Sequence, residues 1–463
     1  MHSRREFLQK SAMGFGTLAL SGVMEQELLG SPLPLYPKVP HFAPRAKHVI
    51  FLYMDGGVSQ VDSFDPKPQL AKEHGQPPKF AVDATVFNNN GNLLKSPWEF
   101  NRYGESGLPI SDLFPHIGSC ADDLCVVRSM TAFSPNHPNA NYALHSGHVL
   151  SGRPSMGAWV SYGLGTLSQN LPSYVVIHGG QVPAGGMQNF ANGFLPANHQ
   201  GSIFLNEHPV LQNTSPLEKS AEIQKQKLRF LHEVDGNLEA RLAHAEAIES
   251  AIQNYELAAR MQLEVPDVTD ISKESEATKK LYGLDAPYEN TRTYAAQCLM
   301  ARRLVERGVR FVELTINPGN GDRWDQHSNL VDGHQQNAAS VDQPIAGLIK
   351  DLKSRGMLDD TLLVFSGEFG RTPFAQGTNG RDHNPQGFSM WMAGGGIKGG
   401  ISHGETDEYS YNVVKDEVRV RDFNATILHQ LGIDHDRLTF PFMGLDQKLT
   451  GVNPAQVVKN IIS

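Results

Sequence analysis

The stretch Thr361 to His383, TLLVFSGEFGRTPFAQGTNGRDH, constrains this chain more than any other. Leu362 to Phe365 is an unbroken apolar run bounded by Gly367 and Gly370, the pattern of a strand covered on both faces. Glu368 stands where the run stops. In open α/β sheets the loops beyond the carboxyl ends of the strands form the ligand crevice, so packing alone accounts poorly for a charged residue there.

Other apolar runs end the same way. Lys47 to Met54, KHVIFLYM, is followed at once by Asp55-Gly56-Gly57, which leaves the Asp55 carboxylate open to the crevice. From this stretch alone, an Asp that caps a turn is an equal reading. Val309 to Ile316 reads as another strand, and NPGNGDRWDQHSN follows it. Asp325 and His327 are two residues apart, so in an extended segment they share a face and are placed to hold one metal, with Trp324 as a cover. Helical patterns at Tyr288 to Arg307 and from His334 to about Lys353 flank that strand, and such strand, helix, strand units set the strands parallel.

Ala121 to Met130 and Leu171 to His178 supply two further strands. Between them lies SPNHPNANYALHSGHVLSG, crowded with His137, His145 and His148 and with Asn136, Asn139 and Asn141. A helix is expected there from about Asn139 to Leu150, with its positive N-terminus suited to an anion. As turn and capping residues these asparagines would carry no chemistry. After His383 come one more strand, in GFSMWMAGGGIKGG, and a strand and helix in VRVRDFNATILHQLGID.

His2 to Lys10, HSRREFLQK, precedes an uncharged stretch rich in Ala, Gly and Leu, which reads as a twin-arginine-type export signal over residues 1–30. A Pro-rich linker follows at 31–45, leaving 46–463 for one large domain. Within it, about 216–285 turns charged and helical, with Leu228, Leu231, Leu238, Leu242 and Ala245 at helical spacing, and reads as an insertion without chemistry. The protein is therefore expected in the periplasm or outside the cell, with no transmembrane anchor in the mature chain. Three cysteines make no metal pattern, and a net charge of −9 argues against a nucleic-acid partner.

Asp55, Asp325 with His327, Glu368, and Asp382 with His383 all fall at strand or loop ends. Carboxylates gathered in one crevice repel one another unless a cation neutralises them, so one or two divalent ions (zinc, manganese, calcium or magnesium) are expected. The segments KHVIFLYMDGG, WDQH, FSGEFGRTP and GRDHNPQGFSMWMAGGGIKGG, in this order, resemble the alkaline phosphatase and sulfatase superfamily. They resemble more closely its branch of exported bacterial proteins of undefined function, the DUF1501 family.

That resemblance implies an alkaline phosphatase-like three-layer α/β sandwich with a mostly parallel central sheet and a helical insertion. It implies that Asp55 is the first metal ligand after the opening strand, that Asp325 and His327 serve the partner metal, and that His383 is the final histidine ligand. The superfamily pair is mostly four residues apart, whereas here the spacing is two. Glu368 takes the place of the Asp in the superfamily's Asp-His-Gly, and Phe369 replaces its histidine. Aligned on Ser146-Gly147, His137 or Asn139 falls near the nucleophile position, and Ser134 is the closest hydroxyl upstream. Arg371 and Asp382 are assigned to the substrate, Arg371 as a clamp on the ester oxyanion, with a structural ion pair an equal reading.

The expected activity is hydrolysis of a phosphate or sulfate ester on a small molecule or polysaccharide. The alternative is an inactive, metal-stabilised binding protein of the cell envelope.

Overall fold

Alternation along the first strand assigns the two faces of the sheet. In β1 (His48–Tyr53), Ile50 and Leu52, with Met54 just beyond, enter one core, while Val49, Phe51 and Tyr53 enter the other. All six strand residues are buried, as a strand with helices on both sides must be. The computed structural model describes residues 36–206, 210–211, 246–317 and 322–463, with scattered positions between 220 and 234. The export segment at 1–30 and the stripe Leu228, Leu231, Leu238, Leu242 and Ala245 lie outside the described residues.

The central sheet comprises β1, β2 (Leu124–Thr131), β3 (Tyr174–His178), β4 (Ser202–Leu205), β5 (Phe311–Thr315) and β6 (Thr361–Ser366). After β6 the chain leaves the sheet as the antiparallel hairpin β7 (Gly370–Gln376) and β8 (Gly380–Asn384). It re-enters as β9 (Phe388–Ala393) and adds two short strands, β10 (Ile401–His403) and β11 (Val418–Arg419). The order is β10-β2-β9-β6-β1-β5-β3-β4, with β11 also paired to β2. Of these strands β9 runs against its neighbours, because the hairpin returns the chain at the rim where β6 ended.

Helices cover both faces, giving three layers. On one side lie α1 (His137–Ser146), α2 (Met156–Leu164) and, later in the chain, Val420–Gln430; Leu144, Trp159 and Phe423 bury against Phe51 and Val364. On the other lie α3 (Glu246–Thr269), α4 (Glu289–Glu306) and α5 (Leu330–Ser354), through Met261, Leu299 and Ile345. The Val420–Gln430 helix is α6. The helix expected at Asn139 starts two residues earlier and ends at Ser146, where Gly147 adopts φ 70°. Cys120, Cys125 and Cys298 are all free and buried.

Register places the site. Tyr53 pairs with Ser366, so Asp55 and Glu368, each two residues further on, leave the sheet side by side. Two glycines let loops close over that rim. At Gly56 (φ +107°) an added Cβ would lie 2.8 Å from the backbone nitrogens of Trp324 and Asp325. At Gly380 it would lie 1.9 Å from the His327 carbonyl oxygen, so only glycine lets the β7–β8 turn rest on the Asp325–His327 loop.

Candidate metal centre

Three parts of the chain meet at this rim. The start of α1 brings His137, the loop after β5 brings Asp325 and His327, and β8 brings His383, with ligand atoms all within 4.8 Å of one another. Asp325 is the hub. Its Oδ2 lies 3.1 Å from His137 Nε2, and its Oδ1 lies 2.9 Å from His327 Nε2 and 3.1 Å from His383 Nε2. Beneath it, the fully buried Arg371 donates through Nη2 to the same Oδ1 at 2.5 Å.

The outer hydrogen bonds fix which nitrogens face inward. His383 Nδ1 donates to the Pro135 carbonyl at 2.5 Å, and His327 Nδ1 donates to Gln376 Oε1. Both acceptors require the proton on Nδ1, so the two Nε2 atoms present lone pairs to each other at 3.0 Å and to a carboxylate oxygen. His137 Nδ1 is held by Glu368 Oε1 at 2.6 Å, again leaving Nε2 for the centre. Metal-bound histidines are oriented in this way, with the far nitrogen donating to a carbonyl or carboxylate. The donor set, three imidazoles and one carboxylate, therefore fits a divalent cation.

The charges follow from the packing. Burial pushes the His383 imidazole down to about 4, against the pull of Asp325. For His137 burial acts downward too, but its bonds to Asp325 and Glu368 outweigh it and raise the pKa to about 9, so a cation takes its Nε2 only by displacing the proton there. Burial works to raise Asp325, yet Arg371 and the three histidines hold it well below the usual carboxylate range.

Asp55 and Glu368 form a second tier beside these four. Glu368 is fully buried and accepts the Gly56 N–H at 3.0 and 3.1 Å. Asp55 pairs with Arg323, whose backbone sits at φ 54°. The Tyr53 hydroxyl lies between them, 3.2 Å from Asp55 Oδ1 and 3.5 Å from Glu368 Oε2, and bonds to Asn141 Oδ1 as well. Burial, then the neighbouring Glu368, lifts Asp55 to about 6.

The remaining candidates add no ligand atom to the cluster. Arg371 turns its guanidinium to the Gly56, Gly57 and Arg381 carbonyls and to Asp325, so its N–H groups point inward. Asp382 is fully buried and accepts from the Phe87 and His383 backbone, which ties the segment around Phe87 to β8. Ser134 Oγ accepts the Asn136 N–H in a turn, and Asn139 Nδ2 donates to the Val149 carbonyl at 2.9 Å. Gln376, which orients His327, and Tyr53 and Arg323, which hold Asp55 in the second tier, carry no local sequence signal. Tyr53 sat within an apolar run and offered no signal there, and Arg323 and Gln376 look like ordinary surface polar residues until the fold brings them in.

A buried acid stands mid-strand in β5, where a charged residue in an apolar run is itself a signal. Glu313, in VRFVELTI, accepts from His145 Nε2 at 2.6 Å and from the Tyr174 hydroxyl at 3.0 Å. His145 Nδ1 faces the Asn141 carbonyl at 2.8 Å, so this pair pins α1, and with it His137, to β5. Gln376 offers the simplest test of the outer bonds. Gln376→Leu removes the acceptor for His327 and is expected to weaken metal affinity by about 10–100-fold, read by competition with a chromophoric chelator, at unchanged circular dichroism.

No curated protein matches the chain in sequence. Among solved structures it is similar to the PsFucS1 sulfatase from Pseudoalteromonas sp., at 12% identity over 84% of this chain and 68% of that one, with a TM-score of 0.35. It is also similar to the lipoteichoic acid synthase LtaP from Listeria monocytogenes (10% identity, 90% and 79% covered, TM-score 0.35). The alkaline phosphatase from the Antarctic bacterium TAB5 matches at 10% identity, with 85% and 98% covered and a TM-score of 0.32. The family described as "Protein of unknown function (DUF1501)" matches residues 46–462, nearly all of the chain beyond its first tenth, and the chain belongs to that family.

Proposed function

We propose that this protein is a metal-dependent hydrolase of phosphate or sulfate esters. One observation carries the reading: imidazole lone pairs, their outer nitrogens engaged by Pro135, Gln376 and Glu368, converge with Asp325 on one point at the ligand rim of the sheet. His137, Asp325, His327 and His383 would hold the ion, and their imidazole-rich set favours zinc or manganese over calcium or magnesium. A divalent cation supplies Lewis-acid polarisation of the ester and brings the pKa of a water toward about 7.

The chain's own groups prepare that site. Arg371 keeps Asp325 ionised and fixed, and Glu368 orients His137. The His137 end of α1 faces the donors, so the positive end of a ten-residue helix favours an anionic ester oxygen. Phe369 stacks on His383 at 4.4 Å and Phe87 meets His327 edge-on at 4.6 Å, which limits water around both rings. In hydrolysis a water oxygen bonds to phosphorus or sulfur, the ester oxygen departs, and it takes up a proton. The first helical residue is His137, not a hydroxyl, which supports direct attack by water over a covalent enzyme intermediate.

That same feature supports a second reading, a metal-stabilised binding protein of the cell envelope. Export over residues 1–30 remains part of the proposal in either case. No helix among the described residues is long and apolar enough to cross a membrane.

Two measurements on protein purified without chelator test the reading: metal analysis, and a screen of aryl phosphates, phosphodiesters and aryl sulfates. Stoichiometric metal with turnover of one class is expected, and metal without any turnover moves the assignment to the binding protein. Restoring metal to stripped protein at about 1,000 times its Kd is expected to add about 4 kcal/mol of stability, read by denaturant unfolding.

A further inference from the structure

The metal centre opens to solvent on one side. Asp325, His327 and His137 keep 29%, 24% and 19% of their side-chain surface, whereas His383 keeps 3%. The buried His383, Phe369 and Arg371 close the centre from beneath. Against the open donor His327 stands Phe87, the two ring centres 4.6 Å apart and the rings edge to face. Phe87 is 56% exposed, and among the described residues no other aromatic ring packs on it.

Single exposed apolar side chains are ordinary on a protein surface and carry no message by themselves. Phe87 differs because polar groups hold it in place. Its N–H donates at 3.3 Å to the fully buried Asp382 carboxylate, one residue before the donor His383. Asn88 takes a left-handed φ of 50°, and its N–H donates to Thr85 Oγ1 at 3.1 Å. The Thr85 hydroxyl in turn donates to Asn90 Oδ1 at 2.9 Å. The strand Asn90–Leu93 then pairs antiparallel with β7, which sets Asn90 opposite Gln376. Gln376 is the residue that accepts from His327 Nδ1. The Phe87 ring and the donor it touches are therefore fixed to the same hairpin.

An ester that brings its anionic oxygens to the four donors must leave its organic group on the open side, where Phe87 stands. A ring laid over Phe87 loses water from one face and gains an aromatic partner, which a methyl group in the same place does not. We propose that Phe87 is the apolar platform for the organic group of the ester, so that the protein selects esters whose organic group presents a flat apolar face. This rests on the hydrolase reading and names its substrate class.

Phenylphosphonate and methylphosphonate carry the anion on a carbon–phosphorus bond that ester hydrolysis does not cleave. Calorimetry on the metal-loaded protein compares the two for wild type, Phe87→Ala and Phe87→Trp, with the metal content of each measured alongside. Wild type is expected to bind phenylphosphonate roughly tenfold more tightly than methylphosphonate. Phe87→Ala is expected to bring that ratio to within about twofold, and Phe87→Trp to keep it. The ratio separates a platform from a structural role, because a Phe87 that served only to position His327 would weaken both phosphonates alike when replaced by Ala. Equal binding of the two by wild type, or a preference that survives Phe87→Ala, overturns the proposal and leaves the hydrolase reading standing. A preference lost in Phe87→Ala while no ester is turned over keeps the platform and removes the hydrolase reading. Binding of neither phosphonate overturns both.

Discussion

Asp325→Asn is expected to empty the centre of metal and to lower kcat/KM by on the order of 10³-fold, the several kcal/mol that Lewis-acid stabilisation supplies. Asp325 is the sole carboxylate of the four donors and the contact shared by all three histidines. The amide would also turn an N–H toward the lone pairs of those imidazoles. Its second consequence is for the fold. Arg371 is fully buried, and with its counter-charge gone it remains a cation held only by backbone carbonyls. Breaking a buried pair on one side costs roughly 3–5 kcal/mol, and the partial exposure of Asp325 argues for the low end. Metal content, denaturant unfolding and kcat/KM on the best ester would be measured together. A variant that keeps one bound metal and wild-type turnover would remove Asp325 from the chemistry.

Glu313→Leu is expected to cost about 3–5 kcal/mol, because it leaves His145 and the Tyr174 hydroxyl buried without their acceptor. Replacing Glu313, His145 and Tyr174 together by Leu, Leu and Phe should recover most of that loss, since no polar group is then stranded. Burial pushes the His145 imidazole down, but the attraction of Glu313 and its hydrogen bonds raise the pKa above the usual value. A histidine raised on folding contributes stability that is fully present below its unfolded pKa of about 6.5 and is lost as pH rises through the folded value. The gap between wild type and a His145→Leu variant should therefore be widest at mildly acid pH and close on the alkaline side. A gap that widens with rising pH would show that His145 is neutral in the folded protein. Because the pair fixes α1, Glu313→Leu should also weaken metal binding through His137 without touching a donor.

How much of this was legible beforehand depends on the distance over which each signal acts. Strand positions such as Leu362 to Phe365 were readable because a strand covered on both faces must be apolar along its whole length. The rim placement of Asp55, Asp325, His327, Glu368 and His383 followed, since each sits just past such a run or in the loop after it. The division of labour among them was not readable. Asp325, His327 and His383 meet with His137, while Asp55 and Glu368 stand one tier back, and that depends on register and loop packing between segments up to about 300 residues apart in the chain.

Arg371 makes the same point. In the sequence it is a free cation beside Glu368, equally suited to clamp an ester or to pair with an acid. The antiparallel pairing that sets Arg371 opposite His383, with Gly56 and Gly57 folded over it, turns its guanidinium inward.

By itself the sequence determined the layered α/β fold and the rim to which the polar residues go, because hydrophobic periodicity and strand-end glycines are local properties of the chain. Only the tertiary structure decided which imidazole nitrogens face the centre and which carboxylate binds them. Those choices are made by hydrogen bonds to Pro135, Gln376 and Glu368, groups whose orientation has no counterpart in a local pattern.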